Sequence, residues 1–102
     1  MPKGYWIGRL DVIKPEGVQA YGVAVAEVLR KYGAKYLVRG GTFEAVEGTA
    51  RARNIVLEFK DYATALACYR SPEYAKAMAF RDKGSVADII VIEGYDGPQP
   101  TD

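Results

Sequence analysis

The chain has 102 residues, 49% of them apolar and 26% charged, and its 14 Lys and Arg against 13 Asp and Glu leave a net charge of +1. This is the composition of one small globular domain, and its balanced charge gives no electrostatic case for nucleic acid or another polyanionic partner. Histidine is absent and Cys68 is the single cysteine, which excludes an internal disulfide, zinc sites of the usual kinds, histidine-ligated haem and histidine-dependent triads.

Gly4 to Asp11 is rich in aromatic and branched residues and reads as a strand, with Tyr5, Ile7, Arg9 and Asp11 in one phase and Trp6 and Leu10 in the other. The start, Met1-Pro2-Lys3, carries no apolar leader, and no window approaches the ~20 apolar residues of a membrane span; a cytoplasmic protein without membrane association is expected. Pro15 suits the first turn of a helix, with Glu16 near its positive end. Val18, Tyr21, Val25, Val28, Leu29 and Tyr32 recur at three- and four-residue steps as one apolar face, and Gly33 can supply a left-handed cap.

Lys35 to Arg39 is a second strand, followed by Gly40-Gly41, where a bulge or bend is expected before Thr42 to Val46 continues extended. Arg53 to Lys60 is a third strand. Asp61 can cap a helix carrying Tyr62, Leu66 and Tyr69, and Ser71-Pro72-Glu73 is a fresh helix start, so a break falls at Arg70-Ser71. Gly84 stops that helix, Val86 to Tyr95 forms the last strand, and a Pro- and Gly-containing tail follows.

Strand, helix, strand, strand, helix, strand is the ferredoxin-like βαββαβ order: an α+β domain over residues 1–96, with a tail at 97–102. It predicts a four-stranded mixed or antiparallel sheet with the helices on one face. Both phases of the last strand are largely apolar (Ile90 and Ile92; Ile89 and Val91), which predicts burial of the other sheet face against a second copy in a homodimer.

Tyr5-Trp6-Ile7, Tyr36-Leu-Val-Arg-Gly-Gly41, Glu47-Gly48, Glu58-Phe59, Tyr69-Arg-Ser-Pro-Glu-Tyr74 and Glu93-Gly94 together resemble the domain-of-unknown-function 1330 family. The resemblance spans roughly Gly4 to Tyr95 and implies a dimeric α+β barrel. It departs at Cys68, where the family often carries tryptophan, which implies a smaller pocket wall there. The family's activity is unassigned, so the resemblance implies a fold and no reaction.

Arg39 and Glu58 are charges in short strands expected to be buried, where a charge needs a partner. Two readings stand: an Arg39–Glu58 pair of structural use, or Arg39 as the fork that binds a carboxylate or enolate-like oxygen. Trp6, Tyr21, Tyr69 and Tyr74 either form core or line an apolar cleft, with Asn54 and Arg81 as further hydrogen-bonding candidates. Ser71 is expected to cap, Cys68 to pack, and Arg9, Arg51 and Arg53 to be solvated; Glu44, Glu47 and Glu93 make no convincing metal set. The functional expectation is a cofactor-free and metal-free dimer that binds or converts a small carbonyl- or carboxylate-bearing metabolite. The alternative is a non-catalytic dimeric structural or interaction module.

Overall fold

Alternation in the first strand places Trp6 and Leu10 on the opposite side from Tyr5, Ile7 and Arg9, and the computed structural model, which describes residues 2–102, forms a strand there (β1, Gly4–Val12). The chain continues through α1 (Pro15–Lys31), β2 (Lys35–Arg39), β3 (Arg53–Phe59), α2 (Tyr62–Tyr69), α3 (Pro72–Asp82) and β4 (Ser85–Glu93). One sheet holds the strands in the order β2-β3-β1-β4, and every pairing is antiparallel. This is the expected ferredoxin-like arrangement, antiparallel rather than mixed, with the second helical unit divided at Arg70-Ser71.

The helix ends follow from local chemistry. Gly33 takes a φ of 70°, and its N–H donates to the Arg30 carbonyl while that of Ala34 donates to Leu29, which closes α1. Asp61 caps α2 by accepting from the Thr64 N–H at 2.8 Å. Ser71 caps α3 in the same way, accepting from the Tyr74 N–H at 3.1 Å, and its own hydroxyl donates to the Cys68 carbonyl at 2.8 Å. The Arg70-Ser71 break therefore leaves both the end of α2 and the start of α3 satisfied.

The core lies between the sheet and all three helices. Trp6, Leu57 and Phe59 rise from the sheet against Val25 and Leu29 of α1, Ala65 and Cys68 of α2, and Tyr74 and Ala77 of α3. Burial of each large aliphatic or aromatic side chain among these contributes about 1.5–3 kcal/mol. Small residues set how closely α2 sits: Ala65 and Cys68 are fully buried, and a side chain at Gly4 would collide with the Asp61 backbone.

The opposite sheet face is not covered within the chain. Ile7, Val38, Val86, Ile90 and Ile92 are 38% to 52% exposed on it. The bend expected at the two glycines falls at Gly40, which takes a φ of 64°, while a bulge not expected from the sequence lies at Leu37, between Tyr36 and Val38. One expectation for the second strand is corrected. Residues 42–46 do not continue as a strand; the chain is irregular from 41 to 52.

Candidate functional site

A cleft of about 820 Å³ runs between α1 and the inner side of β2 and β3, with Tyr21 and Gly22 on one wall and Tyr36, Arg39, Arg53 and Ile55 on the other. The bulge at Leu37 decides which residues face it. Tyr36 pairs with Leu57 and Arg39 with Ile55, both on the helix side of the sheet, while Val38 between them pairs with Val56 on the outer side. Strict alternation would have put Tyr36 and Arg39 on opposite faces. With the extra residue both turn toward the cleft, and the Arg39 guanidinium lies 4.6 Å above the Tyr36 ring, a cation–π contact.

Arg39 is exposed, contrary to the expectation of a buried charge, because β2 is the edge of the sheet. Glu58 lies on the other face. It accepts from the Tyr5 hydroxyl at 3.3 Å and faces Lys3 at 3.7 Å, so the Arg39–Glu58 pair does not form. Asn54 stands opposite Arg9 on that same outer face, away from the cleft. Among the described residues no carboxylate lies within ion-pair distance of Arg39 or Arg53. The cleft lining carries two arginines, two tyrosines and a glutamine, and no acid.

A second, much smaller chamber of about 40 Å³ adjoins the cleft and shares Leu10, Tyr21, Tyr36 and Ile55 with it. Trp6, Gly8, Leu29, Leu57, Arg81 and Ile89 complete its walls. Arg81 is only 5% exposed, its guanidinium lies 5.2 Å from the Tyr21 ring centre, and its buried Nε finds no hydrogen-bond partner. Burial opposes its charge, but the neighbouring Tyr74 and Tyr21 oxygens favour the cation and hold its pKa above the usual arginine value. The hydroxyls of Tyr21 and Tyr74 lie 3.0 Å apart, and burial, first of all, pushes both pKa values up. At neutral pH these phenols are therefore uncharged donors rather than bases.

The other aromatic candidates belong mainly to the core. Tyr74 is fully buried, Tyr69 donates to the Met78 sulfur at 3.9 Å, and the indole N–H of Trp6 donates to the Ala65 carbonyl at 2.8 Å. The three rings pack with centroids 5.0 to 5.7 Å apart. Trp6 also forms part of the chamber wall. Cys68 is enclosed in this core, not in a cleft wall, and burial pushes its thiol up to about 12. Among the described residues, no three Asp, Glu, Cys or His gather as metal ligands.

Tyr36, Arg53 and Gly22 were not among the sequence candidates. Tyr36 and Arg53 could have been found only with the bulge and the register in hand. Gly22 did leave a signal, since a glycine inside a helix costs up to about 1 kcal/mol against alanine. A side chain there would meet nothing within 4 Å, so no packing contact requires the glycine.

A family model described as a domain of unknown function, DUF1330, matches residues 3–95. No curated protein matches the sequence. Among solved structures, the RPA0582 protein of unknown function from Rhodopseudomonas palustris is similar at a TM-score of 0.75 and 15% identity, covering 94% of this chain and 85% of that one. SnoaB from Streptomyces nogalater, a cofactor-independent oxygenase, superposes at 0.64 with 9% identity, covering 98% and 99%. A dimeric ferredoxin-like protein of unknown function from Thermobifida fusca does so at 0.61 with 10% identity, covering 90% and 91%. Likeness at these identities shows the fold alone.

Proposed function

We propose that this chain, which belongs to the DUF1330 family of domains of unknown function, is a cytoplasmic homodimer whose subunits each hold a small carbonyl- or carboxylate-bearing metabolite in the cleft between α1 and β2. The carrying observation is the cleft itself, an acid-free space of about 820 Å³ with Arg39 and Arg53 free of ion pairs on its wall. Its volume is in the range of small-molecule sites. Planar guanidinium groups match the geometry of a carboxylate, and Tyr21 and Tyr36 supply flat apolar surface with a polar tip.

Binding is the function this lining supports best. It can attract and orient an anion, but it carries no group that takes up a proton at neutral pH, so any conversion would have to draw its base from the substrate. SnoaB, a cofactor-independent oxygenase of similar fold, is consistent with cofactor-free chemistry in such a frame.

Gly22→Leu provides the test, because it puts a bulky side chain into the cleft and at the same time improves helix propensity. Native mass spectrometry of protein taken directly from cells should show a retained small molecule on the wild type and none on the variant, with thermal stability unchanged or raised. No retained molecule on the wild type, or equal retention on both, would favour the alternative of a non-catalytic dimeric module.

A further inference from the structure

Arg81 is a charge without an evident employment. It projects from the last turn of α3 into the small chamber beside the cleft, and its Nε is buried and unpartnered. The remaining chamber walls are apolar or neutral: Trp6, Gly8 and Ile89 from the sheet, Leu29 and Tyr21 from α1. Tyr74 offers only a neutral phenol, and Asp82, the nearest acid in sequence, is exposed and forms no ion pair. The Tyr74 and Tyr21 oxygens favour the cation, but among the described residues no carboxylate pairs with it and its buried Nε is left without an acceptor, which is costly unless something supplies one.

We propose that the chamber is a carboxylate subsite, in which the carboxylate of a small monoacid lies against Arg81 while the rest of the molecule extends past Tyr21 and Tyr36 into the cleft. This rests on the reading of the cleft as a ligand site and moves its anion-recognising group from the exposed Arg39 to the buried Arg81. Size supports it. The chamber, about 40 Å³ beside a cleft of about 820 Å³, admits only a small end group, which favours a planar carboxylate over bulkier tetrahedral phosphate or sulfate. Chemistry supports it as well, because a carboxylate accepts two parallel N–H bonds from one guanidinium and would satisfy the orphaned Nε.

Formate and acetate are small enough to probe the chamber alone, with formamide and sulfate as controls at constant ionic strength. The wild type should melt at progressively higher temperature with formate, saturably, and the Arg81 Nε–H resonance should move along the same binding curve. Formamide and sulfate should do neither. Arg81→Met, which keeps the apolar volume of the side chain, should remain folded, and its formate affinity should fall by about tenfold or more. Should that variant fail to fold, Gly8→Ala serves instead: its methyl enters the chamber at an ordinary 3.5 Å from Ile89 and should weaken formate binding without loss of stability. Equal protection by formamide, undiminished formate binding in Arg81→Met or Gly8→Ala, or no response of the wild type overturns the subsite. If that happens while Gly22→Leu still abolishes retention of the cellular molecule, the cleft stands as a ligand site and only the carboxylate assignment falls.

Discussion

Arg39 and Arg81 carry the same group into opposite circumstances. Arg39 stands on an edge strand, exposed and resting on Tyr36, where water meets the needs of its charge. Arg81 sits on a helix face that points inward, so its position in the three-residue rhythm of α3 buries it. Residue type alone cannot separate them, since the difference is how much water each retains. Other positions were plain from chemistry. Ser71, followed by Pro72 and Glu73, is a capping serine in sequence and in structure, and its hydroxyl serves both flanking helices. Ser71→Ala should lower the unfolding free energy by about 1–2 kcal/mol in urea titrations, with no change in the slope of the transition. An effect within experimental error would mean that water replaces the serine at the break.

At the scale of elements, periodicity located the four strands and three helices to within a residue or two at most ends. It found the bend at Gly40 but missed the bulge at Leu37, because glycine marks where a chain is free to bend while the bulge arises from pairing with β3. The helices are tied to their neighbours by carboxylates. Asp61 accepts from Thr64 at the start of α2, and Glu73 near the start of α3 bonds Lys31 of α1 at 3.0 Å. The side-chain hydrogen bonds from Thr64 and from Lys31, respectively, are the first cause that holds their carboxyls below the usual range. A carboxyl whose pKa is lowered on folding contributes stability that is complete above its unfolded value and lost as pH falls through the folded one. The melting temperature should therefore be level from neutrality to about pH 5 and decline below about pH 4. Asp61→Asn, which keeps an acceptor that cannot be protonated in this range, should make the acid decline shallower. An identical decline in the variant would remove Asp61 as a contributor.

At the scale of the molecule, the sheet is one-sided. Its inner face is closed by the helices, while Ile7, Val38, Val86, Ile90 and Ile92 remain open on the outer face. Charged groups lie at both ends of that face: at one, Arg51 reaches Asp11 at 2.8 Å and Asp88 at 2.7 Å and Arg9 reaches Asp88 at 3.5 Å, and at the other Lys3 faces Glu58 at 3.7 Å. Arg9 and Arg51 are thus held in ion pairs, not merely solvated, and Arg51 anchors the end of the irregular segment to the sheet. An apolar patch bordered by pairs of this kind is suited to a second copy, and solved proteins of the same fold are described as dimeric. In sedimentation velocity the wild type should run at twice the chain mass, and Ile90→Asp, at the most exposed of the isoleucines in β4, should run as a folded monomer. A dimer that survives this change would place the interface elsewhere.

By itself, the sequence determined the order of elements, their caps, the residues of the core and the apolar excess on the last strand, because hydrophobic periodicity and end chemistry are properties of neighbouring residues. Only the tertiary structure decided which polar groups meet. The edge position of β2 exposes Arg39, the bulge turns it toward Tyr36, antiparallel register sends Glu58 and Asn54 to the far face, and packing of α3 on the sheet seals Arg81 behind Tyr21. These are relations between segments distant in the chain, set by backbone pairing and by exclusion of water, and no local pattern of residue types records them.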